Sequence, residues 1–307
     1  MDKCLFKLLL ILAFFSTTTL FGQNLSFQKT SDGILLSENG KARFFYQTAT
    51  KSLNGKYPRA NYIHPLYGLD GEVLTEDFPE DHFHHRGIFW TWHQLYVNGQ
   101  RIADPWFCEG ISWEVKNTNT NINDNIAELE AEVIWISDSL DQKPVLKENI
   151  KITYKNYENE AYMLQFEITL TSLVDHLELG GSEDEKGYGG FSPRIKLPKD
   201  IKFSSDGKEI TPQNLPVQAG PWMNLSGSFN GKSNSGIIIM GEPEKLPQYK
   251  GWILRKANSM QNMAFPGRSP ISLPLGEPLI FRNQLLVHNH LSLKEIEQYY
   301  QKFIDQR

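Results

Sequence analysis

Strict period-two alternation constrains this chain more than any other feature. Over 161–171, Tyr162, Leu164, Phe166, Ile168 and Leu170 fall on one face, while Gln165, Glu167, Thr169 and Thr171 fall on the other. Successive side chains of an extended backbone point to opposite sides, so the segment reads as a half-buried strand. Segments 127–136 and 145–154 read as further long strands, and 237–240 and 279–287 as late core strands. Segments 34–36 and 42–46 flank Asn39-Gly40, a pair suited to a tight hairpin. A one-sided strand needs a second layer to bury its apolar face, so the expected class is all-β: a large antiparallel β-sandwich. Only the C-terminus reads as a helix. Ser292 and Glu295 form a capping box, and Leu293, Ile296, Tyr299, Tyr300 and Phe303 line one stripe that should pack outside a sheet.

The first 22 residues read as a signal peptide. Lys3 and Lys7 precede an apolar run over 8–15, followed by small polar residues and Gly22. The run is shorter than the ~18 apolar residues of a spanning helix. An uncleaved anchor is the other reading. Cys4 lies ahead of the run, so it is not placed as a lipoprotein acceptor. The expected organisation is a signal peptide at 1–22 and one β-sandwich domain over 24–307, exported to the periplasm or beyond. No later stretch has the length of a membrane span, so no membrane span is expected. Of 31 basic and 36 acidic residues, Lys3, Lys7 and Asp2 fall in the leader, leaving 29 and 35 and a net charge of −6. That balance, with no basic run, argues against nucleic acid. Cys108 would be the one cysteine left, which excludes an internal disulfide.

Histidine is concentrated where chemistry is expected. Five of the eight histidines lie between His64 and His93, densest in Asp81-His82-Phe83-His84-His85-Arg86-Gly87. Were 82–86 extended, His82, His84 and Arg86 would share one face, with Phe83 and His85 on the other. Imidazoles titrate near neutrality, so such a face suits proton transfer. A divalent metal is the alternative occupant: His-x-His supplies two ligands, and His64, His93, Glu109, His288 or His290 could complete the set. A hydrogen-bonded loop that only knits the fold is the plain reading. Trp90, Trp92, Tyr96, Trp106, Phe107 and Trp113 follow within 24 positions. They could stack on sugar rings or fill the core. The segment from Glu183 to Arg194 adds Glu183, Asp184 and Glu185 as candidate bases, and Lys186 and Arg194 as fixed cations. A solvated acidic hairpin is its plain reading. Segment 262–268 is a weaker third loop.

These motifs resemble the bacterial PmoA-like family. The resemblance rests on Tyr62-Ile63-His64-Pro65-Leu66-Tyr67 with Gly71, on the histidine block, on Lys186-Gly187 with Gly190 and Arg194, and on Leu275-Gly276-Glu277-Pro278-Leu279 through Leu286-Val287-His288. It covers most of the chain. Phe83 stands where a proline is usual, and the acidic run before Lys186 is longer. The family name suggests methane oxidation, but the subunits of that oxygenase are membrane proteins and this chain has no spanning segment. The late strands resemble those of galactose-mutarotase-like supersandwiches, a fold-level analogy. It implies a carbohydrate-active enzyme that performs acid–base chemistry at or near the anomeric carbon of a sugar or glycoside: hydrolysis, elimination or epimerisation. In that reading His84 or His82 is the acid, with His64 beside it, and Glu183, Asp184 or Glu185 is the base. Arg86, Trp92, His93, Lys186 and Arg194 hold substrate. A non-catalytic glycan-binding protein and a metal-dependent oxidoreductase are the alternatives.

Overall fold

The computed structural model describes residues 24–306 other than 158–159, 230, 232–234 and 258–259. The expected signal peptide lies outside the described residues. The alternating segment 161–171 becomes the strand Ala161–Ser172, paired antiparallel with Lys143–Tyr157 on one side and Pro278–His288 on the other. These three belong to a nine-stranded sheet that continues through Ile126–Ser137 to Ile111–Asn123 at one edge. At the other edge it runs through Ser235–Gly241, Trp222–Gly227 and Lys202–Ser205 to Lys208–Glu209. A six-stranded sheet opposes it, in the spatial order Leu25–Lys29, Gly33–Glu38, Lys41–Gln47, Tyr62–Leu66, Ile88–Trp92 and Gly189–Pro193. Its Asn39-Gly40 turn has φ of 50° and 76°, the left-handed pair a two-residue hairpin requires.

Inward residues of both sheets form one apolar core, with Leu36, Tyr46 and Trp90 from one layer and Ile150, Phe166 and Leu285 from the other. The molecule is therefore the expected antiparallel β-sandwich with a C-terminal helix. That helix, Leu293–Asp305, carries the capping box on Ser292 and Glu295. Its Ile296 and Phe303 cover Met163, Ile238, Met240 and Leu286, which point outward from the nine-stranded sheet. Among the described residues, no helix is long and apolar enough to cross a membrane.

A buried carboxylate ties the two layers together. Glu148 on the nine-stranded sheet accepts from Trp135 Nε1 (2.8 Å), from Trp90 Nε1 across the core (2.6 Å) and from Asn61 Nδ2 (2.8 Å). Trp90 and Trp92, next to each other on one strand face, are both core residues, and Trp92 donates its indole N–H to Phe265 O at 2.9 Å. At Trp92 the strand Ile88–Trp92 ends, and two residues later Gln94–Val97 begins in a four-stranded sheet with Gln100–Ala103, Leu177–Gly180 and Ile271–Leu273. His93 occupies that junction.

Candidate functional site

The histidine block is not extended. His82 N donates to Pro79 O (3.0 Å) and His85 N to His82 O (2.9 Å), so the chain makes two successive turns. The expected division of faces therefore gives way to convergence. The rings of His82, His84 and His85 lie 4.6–5.6 Å apart, centroid to centroid, with His82 stacked on His85 and His84 edge-on to both. His85, expected on the opposite face, belongs to the cluster. His93 joins from the far end of the same strand: Trp106 stacks on His93 at 4.9 Å and meets His85 edge-on at 5.9 Å. The four imidazoles thus lie over the outer side of Ile88–Trp92, where Phe89 packs under both His85 and Trp106.

Each ring is held differently. His82 Nδ1 lies 2.6 Å from Asp81 Oδ2, and Arg194 Nη2 grips the other oxygen of that carboxylate at 2.8 Å. His93 Nδ1 lies 3.2 Å from Asp104 Oδ2, which also accepts from Arg101 Nη2 at 2.9 Å. The remaining Asp104 oxygen accepts the amides of Trp106 and Phe107, so one carboxylate shapes the 104–109 turn and orients the imidazole. A carboxylate on Nδ1 fixes the tautomer and presents Nε2 for proton exchange. His85 Nδ1 faces Arg194 Nη1 at 3.2 Å. A guanidinium can only donate, so His85 accepts there and its proton sits on Nε2. Burial, reinforced by His84 and Arg194, pushes its pKa far down. Burial, with His82 and His93 nearby, lowers His84 to about 4, so this ring is neutral at physiological pH. Among the described residues neither of its ring nitrogens has a hydrogen-bond partner.

Around His84 the surface is aromatic. Phe107 meets it edge-on at 4.7 Å, Tyr57 tilts over it at 6.1 Å, and Phe83 stacks on Tyr57 at 6.4 Å. Phe83 and Phe107 are 39% and 38% exposed, unusual for phenylalanine; Phe107 meets the neutral imidazole directly, and Phe83 joins it through Tyr57. Backbone strain gathers here as well. Tyr57, Phe78 and Cys108 have φ of 51°, 51° and 59°. For such residues the left-handed region costs on the order of 1–3 kcal/mol each, a cost that tends to collect at functional sites.

The other expected site residues divide into three groups. Arg194 is buried and acts behind the histidines, with Glu76 on its Nε at 2.8 Å. Glu183 reaches the cluster indirectly, through Arg101 Nη1 at 3.0 Å. Lys186 lies over the Tyr188 ring, and Tyr188 packs on Trp106. Asp184 accepts from Ser182 Oγ and from the amides of Lys186 and Gly187. Burial alone would raise its carboxyl, but those hydrogen bonds bring it below the ordinary range. It is a turn-former with no contact to an imidazole, and Glu185 is exposed.

Three residues stand apart from the cluster. Trp92 is fully buried in the core and presents no surface to a ligand. Arg86, also fully buried, faces away. It pairs with Asp77 at 3.1 Å, lies over the Phe78 ring, and donates to the carbonyls of Lys51 and Tyr57. It thereby fixes the hairpin that carries Tyr57 onto His84. His64 bonds Thr75 Oγ1 at 3.0 Å and faces a separate cavity with Lys51 and Gln47. Burial lowers its pKa. His288, a conceivable metal ligand from sequence, bonds Asn224 on the nine-stranded sheet. Among the described residues no three His, Cys, Asp or Glu side chains are arranged to hold a metal ion. Sequence reasoning counted Asp81 with the histidine block without giving it a separate role, and assigned none to Asp104, Arg101, Tyr57 or Phe83. The turn signal Asp104-Pro105 was the one available pointer to Asp104.

Residues 34–301 match DUF6807, a family of unknown function. No curated protein matches the chain significantly. Among solved structures it is similar to the galactose 1-epimerase from Lactobacillus acidophilus NCFM, at 10% identity over 87% of this chain and 99% of that one, with a TM-score of 0.45. It is also similar to the GalM/aldose epimerase homologue from C. elegans, at 10% identity over 88% of this chain and 100% of that one, with a TM-score of 0.30.

Proposed function

The chain belongs to DUF6807, a family of unknown function, and from the site itself we propose that it is a carbohydrate-active enzyme performing acid–base chemistry at or near the anomeric carbon of a sugar or glycoside. One observation carries this reading: two imidazoles, each oriented by a carboxylate on Nδ1, flank a third that is neutral and unpartnered, beneath exposed aromatic rings. Aromatic faces suit the C–H faces of a sugar ring. His82, backed by Asp81, serves as the acid, and His93, backed by Asp104, as the base; Asp81 and Asp104 compensate the charge as Nε2 takes or gives a proton. Neutral His84 donates or accepts a hydrogen bond at the oxygen whose charge changes. The carboxylates Glu183, Asp184 and Glu185 yield the base role to His93. Arg194, His85 and Lys186 are positioning residues. Hydrolysis, elimination and epimerisation are all compatible with a paired acid and base. The likeness of the histidine block to PmoA-like proteins, and export of the chain by its first 22 residues, belong to the same reading.

The test is incubation with a panel of reducing sugars and aryl glycosides in D2O, followed by NMR. Faster interconversion of anomers, deuterium entering a sugar carbon, or aglycone release is expected with the wild type and is lost in His82→Ala and His93→Ala. Saturable binding without turnover would favour the glycan-binding alternative. A protein inert to every sugar, with none perturbing its spectrum, would overturn the carbohydrate reading altogether.

A further inference from the structure

Beside the histidine cluster lies a broad, open cavity of about 640 Å³, lined by Arg101, Ile102, Ala103, Asp104, Phe107 and Glu109. Two of these residues also belong to the cluster: Asp104 orients His93, and Phe107 packs its ring on His84 and His93. The cavity and the imidazoles are therefore two sides of one ridge, and the ridge is an exposed phenylalanine. Its volume falls in the roughly 300–1,000 Å³ range of ligand clefts, and its open shape suits a ligand that lies along the surface. The lining also matches the two kinds of surface a sugar presents. Ile102, Ala103 and Phe107 supply apolar contact, while exposed Glu109 and the remaining N–H groups of Arg101 supply hydrogen-bonding groups at the margin. Arg101 is already restrained, with Nη1 on Glu183 and Nη2 on Asp104 and on the His93 carbonyl, so its guanidinium is pre-oriented at the cavity wall. A single ring seated over His84 would leave this lined space unused.

We propose that the substrate is longer than one sugar ring: the reacting residue sits at the histidines and the next one crosses Phe107 into the Arg101–Glu109 cavity. The inference rests on the acid–base reading above and adds a neighbouring subsite to it. The cavity gives the remote part of the substrate something to bind, and such binding can be used to orient the reacting part.

Purified protein applied to a printed array of mono- to hexasaccharides, with hits quantified by calorimetry, tests this. The variant Glu109→Trp places a bulky ring across the cavity floor from an exposed position whose hydrogen bonds to Asp104 are made by the backbone. Its melting midpoint is checked against the wild type. The expected result is a disaccharide or longer glycan bound roughly tenfold or more tighter than its terminal monosaccharide, with that advantage removed by Glu109→Trp and monosaccharide binding unchanged. Equal affinity for the monosaccharide and the longer glycan overturns the subsite and leaves the acid–base site standing. So does a length advantage that survives Glu109→Trp. Failure of every glycan to bind overturns both.

Discussion

Adjacent imidazoles at positions 84 and 85 are held in opposite ways. His84 touches its neighbours through ring edges and has no hydrogen-bond partner among the described residues, so its removal orphans nothing. His85 accepts from Arg194, a buried guanidinium whose other donors serve Glu76 and Asp81. His84→Ala should therefore cost on the order of 1 kcal/mol in stability yet lower turnover by roughly 10²–10³, as loss of a donor at a charge-developing oxygen does. His85→Ala should cost about 1–3 kcal/mol, because a buried donor loses its acceptor. Melting curves and turnover on an active sugar, measured for both variants, separate the two roles. A strongly destabilised but fully active His84→Ala protein would assign that ring to the fold.

The strand Ile88–Trp92 carries the site on one side and the inter-sheet tie on the other. Its Phe89 supports His85 and Trp106, while its Trp90 reaches through the core to Glu148. Burial raises the pKa of Glu148, and the hydrogen bonds from Asn61, Trp135 and Trp90 oppose that rise. A carboxyl raised in the folded state contributes stability at low pH that is lost as pH rises through its folded pKa. Trp90→Phe removes one donor to the charged form and raises that pKa further. The expected cost is about 1–3 kcal/mol, larger at pH 8 than at pH 5, read by denaturant unfolding at the two pH values. A deficit that shrinks as pH rises would contradict a charged Glu148. Because the strand also underlies the histidines, ligand binding should weaken in the same variant.

The whole molecule buries several imidazoles in neutral form. Burial, with neighbouring imidazoles, lowers His84 and His288 to about 4 and His85 further. For a lowered histidine the unfolded chain takes up its proton near 6.5 while the folded chain does not. Stability from these groups is then fully present above pH 6.5 and lost as pH falls towards 4. For His84 alone the difference approaches on the order of 3 kcal/mol at the acid end. The melting midpoint should decline between pH 6.5 and 4, and the decline should flatten in His84→Ala and His288→Ala. A midpoint constant across that window would show that the rings are not buried neutral.

Local chemistry decided much of this in advance. Alternation over 161–171 dictated a strand with one buried face, Asn39-Gly40 dictated a hairpin, and Ser292 with Glu295 dictated a helix start, because each depends on residues close in sequence. The density of histidine after Asp81 marked where imidazoles would gather for the same reason. Which histidines meet was a tertiary matter. Turns at 79–85 replaced the extended segment and turned His85 inward. Arg86 and Trp92, expected at the site, were drawn into buried contacts with Asp77 and Phe265, while His64 was left on another cavity. The imidazole partners came from sequence neighbours and strangers alike: Asp81 sits beside His82, but Asp104 reaches His93 across 11 positions and Arg194 reaches His85 across 109. A strand's alternation says which side a residue faces. It does not say which loops from other strands will arrive there, and loop arrival is what assembles this site.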